Sequence, residues 1–107
     1  MKPTTQSLNG SSFWGSTIKA SINQLTAICG EPTWTSFDYD DKATHEWEME
    51  TAEGKPFTIY DWKEYRMIKP DEIIAWHIGG FDGYSTSKAA EELQDALHGE
   101  MIPQKPS

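Results

Sequence analysis

The sequence predicts an α+β fold in which a four-stranded antiparallel meander follows one helix and precedes another, in the order α-β-β-β-β-α. Helical periodicity at 17–29 and 87–98 and strand-like segments between them predict this order. The chain of 107 residues has the size of one domain. We expect that domain at 13–100, with flexible tails at 1–12 and 101–107.

The first helix is predicted at 17–29 from the spacing of its apolar side chains. They recur at steps of four, three and four residues, at Ile18, Ile22, Leu25 and Cys29. Ser16 or Thr17 can supply the N-cap oxygen, and Gly30 followed by Pro32 is a stop signal.

Four strands are predicted next, at 33–37, 43–50, 57–66 and 72–78. The second has one apolar and one acidic face, because Ala43, His45, Trp47 and Met49 alternate with Thr44, Glu46, Glu48 and Glu50. In the third, aromatic and apolar side chains fall on both faces around Asp61. This mixed parity predicts either a bulge or cover on both faces. Cover on both faces would require a partner, so we expect a homo-oligomer.

A glycine-containing loop at 79–84 is expected between the last strand and the second helix. That helix is predicted at 87–98, with a narrow apolar stripe formed by Ala89, Leu93, Ala96 and Leu97. Gly99 is its stop signal.

Composition excludes several classes of function. A net charge of −8 disfavours binding to long nucleic acid, which requires many cations. The single Cys29 allows no internal disulfide or Cys-pair metal site, and the three histidines lack zinc-site spacing, so we expect no metal and no cofactor. No apolar run has membrane-spanning length and no signal peptide is evident, so we expect a cytoplasmic protein without membrane contact.

The candidate ligand site spans the third and fourth predicted strands. Aromatic rings could stack on a base, cations could hold phosphate, a histidine could donate a hydrogen bond, and glycine backbone could approach an anion closely. These residues are Tyr60, Trp62, Lys63, Tyr65, Arg66, His77, Gly79 and Gly80. Together they indicate a nucleotide-like small ligand, although the same pattern also fits a packed hairpin with core aromatics.

Two alternative functions use other residues. A row of carboxylates could imitate nucleic acid and contact a basic partner protein, because alternate side chains on a strand stand about 7 Å apart. This surface would comprise Asp40, Asp41, Glu46, Glu48 and Glu50. Alternatively, Asp61 and His77 could form the acid/base pair of a small hydrolase.

The motifs Tyr60-Asp61-Trp62-Lys63 and His77-Ile78-Gly79-Gly80 resemble those of small bacteriophage-encoded accessory proteins. These proteins share a TIYDWK-like strand and an HIGG-like strand end, and the resemblance covers about residues 25–98. It implies a protein made in a bacterial cytoplasm, and it carries no catalytic residue with it. We therefore expect a non-enzymatic binding protein that inhibits a host defence system by sequestering a nucleotide-like ligand.

Overall fold

The structure, a computed structural model, describes residues 1–101 and contains one antiparallel sheet of six strands and two helices. The predicted C-terminal tail lies outside the described residues except for Met101. The elements in chain order are β1 (Lys2–Pro3), β2 (Ser12–Ala20), α1 (Ile22–Cys29), β3 (Trp34–Thr35), β4 (His45–Glu50), β5 (Pro56–Tyr60), β6 (Ile74–Gly80) and α2 (Gly83–Met101).

The predicted four-stranded meander with a helix at each end is therefore wrong. The strand order is β1-β4-β5-β6-β2, and β3 pairs with the same edge of β4 as β1 does. Two strands, β1 and β2, precede the first helix, so the order of elements is not α-β-β-β-β-α. Residues 1–12, expected as a tail, contain β1 and the first residue of β2.

The first helix was predicted too long because Ile18 fits two periodicities. It matches the helical spacing of Leu25 and Cys29, but it also alternates with Ala20 on the buried face of β2. Ser21 is the N-cap, and its hydroxyl and the Gln24 side chain each accept a hydrogen bond from the other residue's backbone N–H. This capping box fixes the helix start after Ser21 rather than at Ser16 or Thr17.

The helices cover one face of the sheet, called here the covered face. α2 packs against β2, β5 and β6 and also contacts α1. The core between these layers comprises Ile18, Ala20, Leu25, Cys29, Trp47, Met49, Phe57, Ile59, Ile68, Ile74, Trp76, Ile78, Ala89, Leu93 and Leu97. Residues at alternate positions of the long strands point to the opposite side, called here the open face, on which none of the described helices packs.

The third predicted strand ends earlier than expected, at Tyr60. Asp61 follows it and is buried, and its carboxylate accepts hydrogen bonds from the Thr44 backbone N–H and hydroxyl and from the His45 backbone N–H, each at 2.7–2.8 Å. The mixed parity thus marks the end of the strand, so it requires neither a bulge nor cover on both faces. Lys63 and Tyr65 have φ of 55° and 53°, which no continuing strand allows.

The predicted glycine loop is also shorter than expected. Gly79 and Gly80 belong to β6, where they pair with β2, and Gly83 already begins α2. No helix among residues 1–101 is long and apolar enough to cross a membrane.

Candidate functional site

Four aromatic rings meet on the open face and are called here the aromatic cluster: Phe13, Tyr60, Trp62 and His77. Phe13 comes from β2, Tyr60 from the end of β5 and His77 from β6, while Trp62 lies in the loop after β5. Tyr60 and His77 are direct register partners, so the adjacent strands place their side chains side by side.

His77 lies at the centre of the aromatic cluster. Its ring stacks on Phe13 with centroids 3.9 Å apart and on Trp62 with centroids 5.7 Å apart. Tyr60 meets both His77 and Trp62 edge to face, at 5.4 and 5.9 Å. Burial lowers the pKa of His77, because removing the imidazolium from water costs free energy. The ring is therefore neutral at pH 7 and stacks as an uncharged aromatic group.

Two cations lie next to the Trp62 ring. The Nζ atoms of Lys42 and Lys63 are 5.9 and 5.5 Å from the centroid of Trp62. Trp62 is 39% exposed and Phe13 is 43% exposed, so the aromatic cluster is open to solvent. Positive charge and exposed aromatic surface thus coincide at Trp62, within range of a cation–π interaction.

A groove of about 280 Å³ runs beside Tyr60 and Trp62. Its other lining residues are Ser11, Ser12, Ala43, Glu46, Thr58 and Gly79. Gly79 has to be glycine here, because a Cβ atom would lie 2.9 Å from Cγ2 of Thr58 and 3.4 Å from Cε1 of Tyr60. The bare backbone at Gly79 therefore lets Tyr60 lie close against β6.

A row of carboxylates borders this groove. Glu46, Glu48 and Glu50 alternate along β4 and face Tyr60, Thr58 and Pro56 across the pair of strands. Burial raises the pKa of Glu46, the nearby Thr58 hydroxyl opposes that rise, and Glu48 adds to it. Burial and the charge of Glu46 also raise the pKa of Tyr60. The acidic row and the aromatic cluster thus share one continuous face.

Some predicted ligand residues lie elsewhere. Arg66 hydrogen-bonds to both oxygens of Glu72, with Nη1 2.8 Å from Oε1, and donates a further bond of 3.0 Å to Glu64, so its charge is already neutralised. Tyr65 is half exposed and makes no aromatic contact with the described residues. Gly80 points to the covered face, where a Cβ atom would lie 2.8 Å from Cγ2 of Thr86.

The glycine backbone does not form the open anion site that the sequence suggested. Gly79 pairs with Phe13 and Thr58 on its two sides, and Gly80 pairs with Ser12. The Gly80 carbonyl also accepts a 2.9 Å hydrogen bond from the Trp14 indole. This segment is therefore an extended strand within the sheet.

The remaining candidate residues are separated in space or lie in turns. Asp61 and His77 share no hydrogen bond, because the carboxylate of Asp61 is occupied by Thr44 and His45. Asp40 and Asp41 lie in the turn after β3, where the Asp41 carboxylate accepts a bond from Ser36. Among residues 1–101, no three His, Cys, Asp or Glu side chains gather as a metal site requires.

Sequence reasoning missed two members of the site, Phe13 and Lys42. Phe13 was placed at the edge of the domain because residues 12–20 were not recognised as a strand. The alternation of Ile18 and Ala20 together with the Ser21–Gln24 capping box could have indicated that strand. Lys42 gave no local signal, since only the fold brings it to Trp62.

Comparison of the chain with models of known protein families finds no match, and comparison with curated proteins finds no significant relative. Residue chemistry and geometry are therefore the basis for assigning a function.

Proposed function

We propose that the protein is a non-enzymatic binding protein that holds a small nucleotide-like ligand at the aromatic cluster. One observation carries this proposal: the half-exposed ring of Trp62 stacks on His77 and has two ammonium groups within 6 Å, at 5.9 and 5.5 Å. A nucleobase needs a flat apolar surface and a phosphate needs cations. Both requirements are met next to Trp62.

The groove beside Trp62 and Tyr60 suits the base of such a ligand. A base placed there would have its edge near Glu46, whose carboxylate can accept a hydrogen bond from an exocyclic amine. Its phosphate would lie toward Lys42 and Lys63, next to Trp62. Two cations suffice for a mononucleotide, whereas a net charge of −8 disfavours a longer nucleic acid.

The resemblance to bacteriophage accessory proteins supplies the biological part of the proposal. A protein that binds a nucleotide without converting it would sequester a signal of a host defence system in the bacterial cytoplasm. Native mass spectrometry of protein purified from a bacterial host tests this directly. A mass excess that is released intact on denaturation would identify the ligand, and the same spectrum reports the oligomeric state.

The site is tested by titrating AMP and GMP while following tryptophan fluorescence, with calorimetry to obtain the affinities. Stacking of one base contributes roughly 1–3 kcal/mol, so Trp62→Ala should weaken binding by about tenfold or more. Tyr65→Ala is the matched control, because Tyr65 is a half-exposed aromatic residue outside the cluster. Equal losses in both variants, or no binding by the wild type together with a ligand-free native mass, would contradict the proposal.

A second candidate function is contact with a basic partner protein through the acidic row. The observation that favours it is the alignment of Glu46, Glu48 and Glu50 on one open strand face, where, within residues 1–101, only Glu50 forms an ion pair, with Lys2 at 3.9 Å. Substituting all three by Gln should abolish retention of the partner from bacterial lysate, and added salt should weaken it. The control is Asp95→Asn on the solvent side of α2. Retention by the triple variant would exclude this function.

A further inference from the structure

A second cavity lies at the end of the sheet, separate from the aromatic cluster. It measures about 280 Å³ and opens between α1, the segment after β3 and the loop that leads to β6. Its lining residues are Ile22, Thr35, Ser36, Phe37, Tyr39, His45, Met67, Ile68 and Pro70. None of them is Asp, Glu, Lys or Arg, so the cavity suits an uncharged ligand.

His45 is the one imidazole in this lining, and a chain of hydrogen bonds fixes its tautomer. The Thr44 hydroxyl donates its only hydrogen to Asp61 Oδ2 at 2.7 Å. Oγ1 of Thr44 also lies 3.0 Å from Nδ1 of His45 and, having donated its hydrogen, has to accept one from Nδ1. Nδ1 thus carries the proton, and Nε2 is left with a free lone pair.

Asp61, at the other end of this series of hydrogen bonds, is also held in place. Asp61 is 1% exposed, and its second oxygen accepts the backbone N–H groups of Thr44 and His45 at 2.7 and 2.8 Å. Burial lowers the pKa of His45, while the charge of Asp61 opposes this shift. The imidazole is therefore neutral at pH 7, and Nε2 accepts hydrogen bonds but cannot donate one.

We propose that this cavity binds one neutral aromatic ring bearing an O–H or N–H donor, such as a phenol, with the donor bonded to Nε2 of His45. The apolar walls and the neighbouring rings of Phe37 and Tyr39 favour an aromatic ligand over a sugar or a phosphate. The Met67 side chain adds a flexible, polarisable wall. A cavity of this size holds a single ring, and its lining contains no lysine or arginine that could hold a phosphate.

The tautomer is the first thing to measure. In protein labelled with ¹⁵N at histidine, long-range proton–nitrogen spectra should show His45 with Nδ1 protonated and Nε2 unprotonated. The Thr44→Val variant keeps the side-chain shape but removes the hydroxyl, so it should mix the two tautomers while the amide spectrum stays folded. A wild-type His45 with its proton on Nε2 would overturn the proposal.

Binding is tested with phenol and toluene, which match in shape but differ in the donor. Both should shift the amide resonances of Ile22 and Ile68 and saturate. In His45→Phe the phenol hydroxyl loses its acceptor, so the ratio of phenol affinity to toluene affinity should fall about fivefold or more. The toluene affinity reports separately whether the cavity itself is preserved.

Three results would overturn the inference. They are no saturable shift with either probe, shifts confined to Phe13 and His77 on the open face, and an unchanged phenol-to-toluene ratio in His45→Phe. Because this cavity contains no member of the aromatic cluster, failure here leaves the proposed nucleotide site untouched.

Discussion

The two faces of the sheet use the same kinds of side chain for opposite purposes. On the covered face, Trp47 and Trp76 are fully buried and meet edge to face at 5.4 Å. Their indole N–H groups donate to the carbonyls of Gly30 and Ala20, each at 2.9 Å. On the open face, Trp62 belongs to the aromatic cluster but keeps 39% of its surface exposed.

The difference lies in how completely the polar atoms are satisfied. The covered tryptophans have apolar neighbours for their rings and a backbone partner for each N–H, as a stable core requires. On the open face, Nδ1 of His77 and Oγ1 of Thr58 are shielded from solvent without a good hydrogen bond within residues 1–101. An aromatic residue therefore indicates a core or a binding surface only once its surroundings are known.

The largest effect on stability is expected from a substitution on the covered face. Trp76→Ala removes a fully buried ring and leaves the Ala20 carbonyl without its donor, so we expect a loss of about 3–5 kcal/mol in the free energy of unfolding. Trp62→Ala, on the open face, should cost about 1 kcal/mol or less. Urea denaturation measures both, and similar losses would mean that the aromatic cluster is a structural core.

The two neighbouring glycines of β6 allow an intermediate test, because each faces a different side of the sheet. In Gly80→Ala the new Cβ would clash with Thr86. In Gly79→Ala it would clash with Thr58 and crowd Tyr60. Overpacking of this kind costs about 1–3 kcal/mol. We expect Gly80→Ala to lower only stability, whereas Gly79→Ala should also weaken mononucleotide binding by displacing Tyr60.

Partner substitutions serve as the controls for the glycine variants. Thr58→Ser and Thr86→Ser each remove the methyl group that the new Cβ would meet, at 2.9 and 2.8 Å respectively. Each should restore part of the stability of its own glycine variant and none of the other's. Cross-rescue would show that the two faces are coupled through the backbone.

The smallest expected effect is on how the free energy of unfolding depends on pH. Burial lowers the pKa of His77 below its usual 6.5, so the unfolded chain binds a proton more readily than the folded protein does. Stability is then fully present above pH 6.5 and decreases as the pH falls toward the pKa of the folded state. His77→Phe keeps the ring stacked on Phe13 and should reduce this decrease, measured by urea denaturation between pH 7 and 5.

Two other groups have shifted pKa values and act as internal controls. His45 also has a lowered pKa and contributes in the same direction, so some decrease should persist in His77→Phe. Glu46 has a raised pKa and contributes in the opposite direction at lower pH, because the folded state favours its protonated form. An unchanged profile in His77→Phe would contradict the burial of its imidazole.

The inward faces of individual strands could be predicted where one periodicity dominated. The alternation in β4 correctly placed Trp47 and Met49 inward, and β6 followed the same rule with Trp76 and Ile78. The fold class failed at residues 12–20, because the spacing of Ile18 fits a helix as well as a strand, and in the structure this segment pairs with β6 as a strand. The two-residue strands β1 and β3 are too short to show a period.

The candidate site could be predicted in part for the same reason. Tyr60, Trp62 and His77 were recognised because they lie on two adjacent predicted strands, at 57–66 and 72–78. Arg66 looked equally suitable in the sequence, but its nearest partners in space are Glu64 and Glu72. Charge pairing between loop residues depends on the path of the backbone, which a sequence pattern does not specify.

The sequence by itself determined which faces of β4, β6 and α2 are apolar, the acidic character of the chain and the stop of α1 at Gly30, because these follow from local spacing and backbone preference. Only the tertiary structure decided that Phe13 stacks on His77, that Lys42 reaches Trp62 and that Asp61 fixes the tautomer of His45. Those contacts join residues 16–64 positions apart in the chain. They form because folding closes the intervening loops, and no local propensity encodes them.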